Sequence, residues 1–267
     1  GPCNFASVGL VTDSTNSTYH AGQIALTRRF DNGLAFLASY TFSKSLDYVS
    51  SFNVAGSAPR LVAGENDLAQ NPFDLASEHG PSLFDARNRF VFSGSYEIPF
   101  MRSAAPFAHA ALGGWQINTI ANFSSGTPFT VYDSANVALQ GSSPEITGFY
   151  SSRPNMIADP NRGSHTADQW VSRSAFQRLD PVAQAGQFGN EGRNVVRGPG
   201  IANVDLSLLK TFPLAESFRL QFRAECFNVA NHANLGLPDN DLASPNFGHV
   251  LEAGSPRLFQ LALKLIY

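Results

Sequence analysis

Residues 257–267, RLFQLALKLIY, alternate without a break. Phe259, Leu261, Leu263, Leu265 and Tyr267 fall on one side of an extended chain, and Leu258, Gln260, Ala262, Lys264 and Ile266 on the other. A period of two specifies a strand rather than a helix. One face is wholly apolar and ends on an aromatic ring. The other mixes a lysine and a glutamine with smaller apolar groups. A strand of a soluble β-sandwich shows this alternation. So does a barrel strand with lipid on one side and a wet lumen on the other, and an aromatic at its end fits the barrel better.

Composition points the same way. Only 15% of the 267 residues are charged, against about 25% in soluble domains, and phenylalanine occurs 22 times. Such a surface needs a covering other than charge. The net charge of −3 offers no basic field, so no nucleic-acid partner is expected. No run of about 18 apolar residues occurs, which excludes a helical span and leaves a barrel open. The opening GPCNFASVGL has neither a charged start nor an apolar stretch, so an exported chain is expected to have lost its signal. Cys3 and Cys226 stand far apart, in no metal or redox spacing. Cys226 falls on an apolar strand face, where packing is its expected role.

The same alternation predicts strands near 19–30, 34–45, 87–98, 114–123, 201–212 and 218–227, with 257–267 as the seventh. In the first, Gly22, Ile24, Leu26 and Phe30 oppose Gln23, Ala25, Thr27 and Arg29, and Arg28 interrupts the apolar side where it can snorkel. Asp31, Asn32 and Gly33 signal a hairpin. Phe36, Ala38, Tyr40 and Phe42 then oppose Leu37, Ser39, Thr41 and Ser43. Further on, Phe218, Leu220, Phe222, Ala224 and Cys226 oppose Arg219, Gln221, Arg223 and Glu225. About ten residues at roughly 3.3 Å each, tilted about 40°, match an apolar band about 25 Å tall.

Between the strands the connections run short, long, medium, long, short, long. Outer-membrane barrels, with short periplasmic turns and long external loops, have this order; sandwiches do not. The longest aperiodic stretches are about 46–86 and 133–200, read as loops, with a short strand near Asn246 to Leu251. With Tyr267 at the periplasmic end, Phe30, Phe36, Ile98, Trp115, Phe212 and Phe218 gather there, and their rings would form an aromatic girdle. NFASV before the first strand and NFGHV before the last suggest a weak repeat. The first and last strands run in the same direction, so seven strands cannot close as an antiparallel barrel. The chain therefore reads as the C-terminal part of a larger barrel.

Several phrases resemble one family, the C-terminal barrel region of Oar-like TonB-dependent outer-membrane receptors. They are STYHAGQIALTRRFDNGLAFLASYTFSKSLD, DARNRFVFSGSYEIPF, LGGWQIN, SSGTPF, GNEGRNVVRGPG, NVDLSLLKTF, LQFRAECFNVANHANLG and the terminal strand, and they span about Ser17 to Tyr267. The resemblance implies an antiparallel transmembrane barrel of about 22 strands with a plugged lumen. It also implies energised uptake of a bulky nutrient, with TonB engaged only through N-terminal parts that this sequence lacks. It further implies a terminal strand read by the barrel-assembly machinery.

No site for chemistry stands out. His20, His79, His109, His165, His232 and His249 show no ligand spacing, so neither a metal nor a cofactor is expected. GNEGRNVVRGPG does not follow a strand and open a helix, so it reads as loop closure rather than a phosphate cradle. No GxSxG elbow occurs, and no enzymatic activity is expected. Asp205, Arg219, Arg223 and Glu225 lie on the lumen side of two adjoining strands, where cross-strand or diagonal pairing would neutralise them or leave them for a plug or ligand. Phe73, Phe149, Tyr150 and Trp170 in the loops would pack the loops together or grip a ligand. The ligand-binding residues stay unassigned. Beside receptor-type uptake, a structural or adhesive surface barrel and a soluble β-sandwich binding module remain as alternatives.

Overall fold

The computed structural model of the protein describes residues 13–50, 69–99, 113–134, 152–215 and 218–267. Seven long strands form one antiparallel sheet: β1 (Thr18–Asp31), β2 (Leu34–Asp47), β3 (Asn88–Glu97), β4 (Trp115–Ser124), β5 (Ile201–Pro213), β6 (Arg219–Phe227) and β7 (Leu258–Ile266). Each pairs with the next in chain order, and β1 and β7 are the two edges. The boundaries agree with the alternation to within two residues because the period-two exchange of apolar and polar side chains is a local signal that these strands carry along their whole length. The β1–β2 turn is Asn32 and Gly33 with φ of 50° and 82°, the two positive angles that fit a two-residue hairpin to the sheet twist.

Register carries the two faces across the whole sheet. On one, Ile24 lies opposite Tyr40, Tyr40 opposite Phe90 and Phe90 opposite Phe123. Lower down, Ile117 meets Leu208, Leu208 meets Ala224 and Ala224 meets Leu261. On the other face Ser95, Asn118, Ser207, Glu225 and Gln260 form one continuous row. The apolar face is bare: Ile24 and Leu261 are each 73% exposed and Leu263 is 70% exposed. Each such side chain forgoes about 1.5–3 kcal/mol of burial if water covers it. No second sheet lies on this face among the described residues, so the sandwich alternative is not met and the face requires a lipid covering.

At the end expected to be periplasmic, Phe36 stacks on Phe92 with ring centroids 6.0 Å apart, and Trp115 meets Phe222 edge-on at 6.2 Å. This is where the aromatic girdle was expected from sequence. It also holds Lys210, whose ammonium lies 5.2 Å from the Trp115 ring centroid and 4.9 Å from that of Phe212. Cation–π contact accommodates a lysine on the apolar side.

Two expectations are corrected. The stretch near Asn246 to Leu251 is no strand: Phe247 and Gly248 lie in a turn, Gly248 has φ 83°, and only Val250 bridges to Pro238. The NFASV half of the suggested repeat lies outside the described residues, as does Cys3. The aperiodic segments, secondly, are a packed body. Phe129, Val131, Val171, Ala175, Phe176, Val196, Leu242 and Phe247 form a buried apolar cluster. Pro128–Phe129 pairs with Val196–Arg197, and Asn155–Met156 pairs with Phe176–Gln177. Strand pieces of two residues leave no periodicity to read.

Candidate functional site: the polar wall and its external cap

The packed loops sit on the polar side of the sheet at the end away from the β1–β2 hairpin, the end expected to be external. In β2 the polar-face residues Ser43, Ser45 and Asp47 are buried, while Phe42 and Lys44 on the other face stay exposed. Ser45 Oγ lies 2.8 Å from Ser82 Oγ, and Asp85 accepts from the Ser45 amide at 2.8 Å. Ser43 donates to the Ala86 carbonyl at 3.1 Å. The short strand Gly80–Pro81 adds to the outer end of β2. These contacts make the loops a cap over the mouth of the polar wall.

A strap, residues 189–197, ties the cap together. A side chain on Gly189 would collide with the Arg153 carbonyl, and one on Gly80 with that of Arg193, so both glycines permit backbone approaches no other residue allows. Arg193 pairs with Asp47 at the end of β2, and its Nε donates to the Glu78 carbonyl at 2.8 Å. Asn194, at φ 56°, donates to the Pro81 carbonyl at 2.9 Å and exchanges hydrogen bonds with Thr130. Arg197 donates to Asp85 at 2.6 Å. Arg153 forks onto Glu78 at 2.6 and 3.0 Å, and Gln70 donates to the Gly189 carbonyl at 2.9 Å. The bidentate geometry and the added backbone acceptors are what buried ion pairs need to offset desolvation.

Glu191 differs from its neighbours. It is 2% exposed, and Oε1 accepts from the Val131 amide at 2.9 Å. Oε2 has no partner among the described residues. Burial pushes its carboxyl well above the ordinary range, although the Val131 amide and the Arg153 charge pull the other way.

Below the cap the wall is mostly amide and hydroxyl. Gln116 donates to Ser95 Oγ at 2.6 Å and to Asn118 Oδ1 at 3.1 Å. Asn203 donates to Asp205 at 2.9 Å, which also accepts from the Asn228 amide at 2.8 Å. The expected cross-strand pairing among the four charged residues is corrected. Arg223 pairs along its own strand with Glu225 at 2.5 Å, while Asp205 turns to amide donors. The register sets Leu209 opposite Arg223 and Ser207 opposite Glu225, so neither meets a charge across β5 and the two pair with each other. Arg219 stands exposed at the start of β6.

The loop aromatics divide. Trp170 packs against the cap core and donates its indole N–H to the Arg197 carbonyl at 2.8 Å. Phe73 is 97% exposed and holds nothing together. Phe149 and Tyr150 lie outside the described residues, as does His109. The other histidines are dispersed: His79 lies 4.9 Å from the Tyr48 ring, His165 lies 5.0 Å from that of Trp170, and His232 contacts Asn234. Reading the sequence missed the strap's role. Its only signal is the density of arginine, asparagine and glycine in GNEGRNVVRGPG, which looks the same as loop closure until the partners are known.

None of the curated proteins compared with the chain matches it. A protein-family model described as outer membrane beta barrel domain matches residues 2–260. That span takes in six of the long strands, the cap and the start of β7, and it agrees with the bare apolar face and the polar wall opposite. The chain belongs to the outer membrane beta-barrel domain family and resides in the outer membrane.

Proposed function

We propose that this barrel takes part in energised uptake of a bulky nutrient, as the barrel portion of an Oar-like TonB-dependent receptor. The observation that carries this reading is the cap. A packed, ion-paired body lies over a hydrogen-bonding wall, which suits a protein that captures a ligand outside and passes it along an interior path. A passive pore has less use for a mouth built this way. The terminal strand, with Leu261, Leu263 and Leu265 on its lipid side, supplies the segment we assign to recognition by the barrel-assembly machinery. We assign contact with TonB to the N-terminal part of such a receptor, and no catalytic step enters the proposal.

The test is uptake in the native host. Deleting the gene should impair growth on at least one large nutrient offered at limiting concentration, and disrupting TonB should impair it equally. A deletion strain with normal uptake of every nutrient but lost surface attachment would replace transport with the adhesive reading, which the extent of the cap also suits.

A further inference from the structure

Five ionisable side chains meet in a knot beneath the strap. Asp47, Glu78 and Glu191 supply three carboxyls, while Arg153 and Arg193 supply two guanidinium groups. All five residues are buried. Arg193 joins Asp47 to the Glu78 carbonyl, and Arg153 spends both terminal nitrogens on the Glu78 carboxylate. Glu191 is left with one backbone donor. Its second oxygen and Arg153 Nε are both enclosed and without hydrogen-bond partners among the described residues. The 128–131 segment packed against Glu191 carries no ionisable side chain, and Asp133 just beyond is held by Arg178 at 2.5 and 2.8 Å. Asp85, also buried, takes Arg197 and Arg87, so among the described residues Glu191 is the one carboxyl of the knot to which no guanidinium donates.

We propose that Glu191 is a proton-linked latch: protonated, it lets the strap close the cap over the polar wall, and ionised, it releases the strap from Asp47, Pro81 and Glu78. An uncompensated charge in a dry site is costly, and the strap relieves it most directly by exposing Glu191 to water. The sign follows from linkage. An acid whose folded form holds its proton more tightly than the unfolded form stabilises the closed cap most at low pH. That contribution is lost as pH rises from the ordinary carboxylate range through the raised one. The cap closes in acid and loosens towards alkali. This device is independent of what the barrel transports.

Hydrogen exchange on the full-length protein in outer-membrane vesicles, corrected for intrinsic rates across pH, tests it. Protection of amides in 189–197 should fall at least tenfold with rising pH, while amides of β4 and β5 hold constant as an internal reference. Glu191→Gln, neutral at every pH, should keep the strap protected throughout. Strap protection in the wild type that is flat with pH, or that rises with it, would overturn the latch without any variant being needed. Identical profiles for wild type and Glu191→Gln would overturn it equally.

Discussion

At Leu263 and Ala262, adjacent residues of β7, the two solvents of this protein are one peptide bond apart. Leu263 lies opposite Phe222 on the apolar face and Ala262 lies opposite Arg223 on the polar one. Leu263→Arg should therefore destabilise the folded barrel by about 2–4 kcal/mol if it sits near the bilayer midplane, whereas Ala262→Arg should cost far less. Urea titration in lipid vesicles measures both; equal costs would mean that the faces are assigned wrongly. Arg193 poses a different risk. Its removal strands Asp47 as a buried charge, and Arg193→Ala should cost about 3–5 kcal/mol of cap stability. Local proteolysis of the cap should report the loss while the strands remain intact.

Among the elements, the β1–β2 hairpin depends most sharply on one backbone angle. Gly33→Ala forces a side chain into positive φ and should cost about 1–2 kcal/mol, while Asn32→Gly should be tolerated. A refolding yield in detergent that is lower for the first and unchanged for the second is the expected result. The hairpin and all seven strands could be read from sequence because their signal is local: alternating side chains and an Asn-Gly turn. The cap could not. Its partners are far apart in the chain, with Arg193 reaching back to Asp47 and Arg153 to Glu78, and its strands are two residues long. Lys210 escaped for a related reason. Its tolerance on the apolar face comes from Trp115 on a neighbouring strand, which no period along β5 can reveal.

At the scale of the whole sheet, the edges of β1 and β7, unpaired among the described residues, set the last requirement. Each presents a row of backbone groups that lipid cannot hydrate, at several kcal/mol per group. In a seven-stranded antiparallel sheet the two edge strands run the same way, so joining them directly makes a parallel seam. Seven strands are also fewer than the eight of the smallest bacterial barrels. A second copy does not help, because copies inserted in the same orientation present β1 and β7 running the same way again. Closure in antiparallel fashion therefore takes an odd number of strands beyond the seven described. Refolded alone in detergent, residues 13–267 should stay protease-sensitive or aggregate. Joined to strands that complete the sheet, they should give a heat-modifiable, resistant barrel on a gel. A monomeric resistant barrel from these strands alone would sink this argument, and with it the reading of the polar wall as one side of a wide lumen, since so few strands enclose no room for a bulky nutrient to pass.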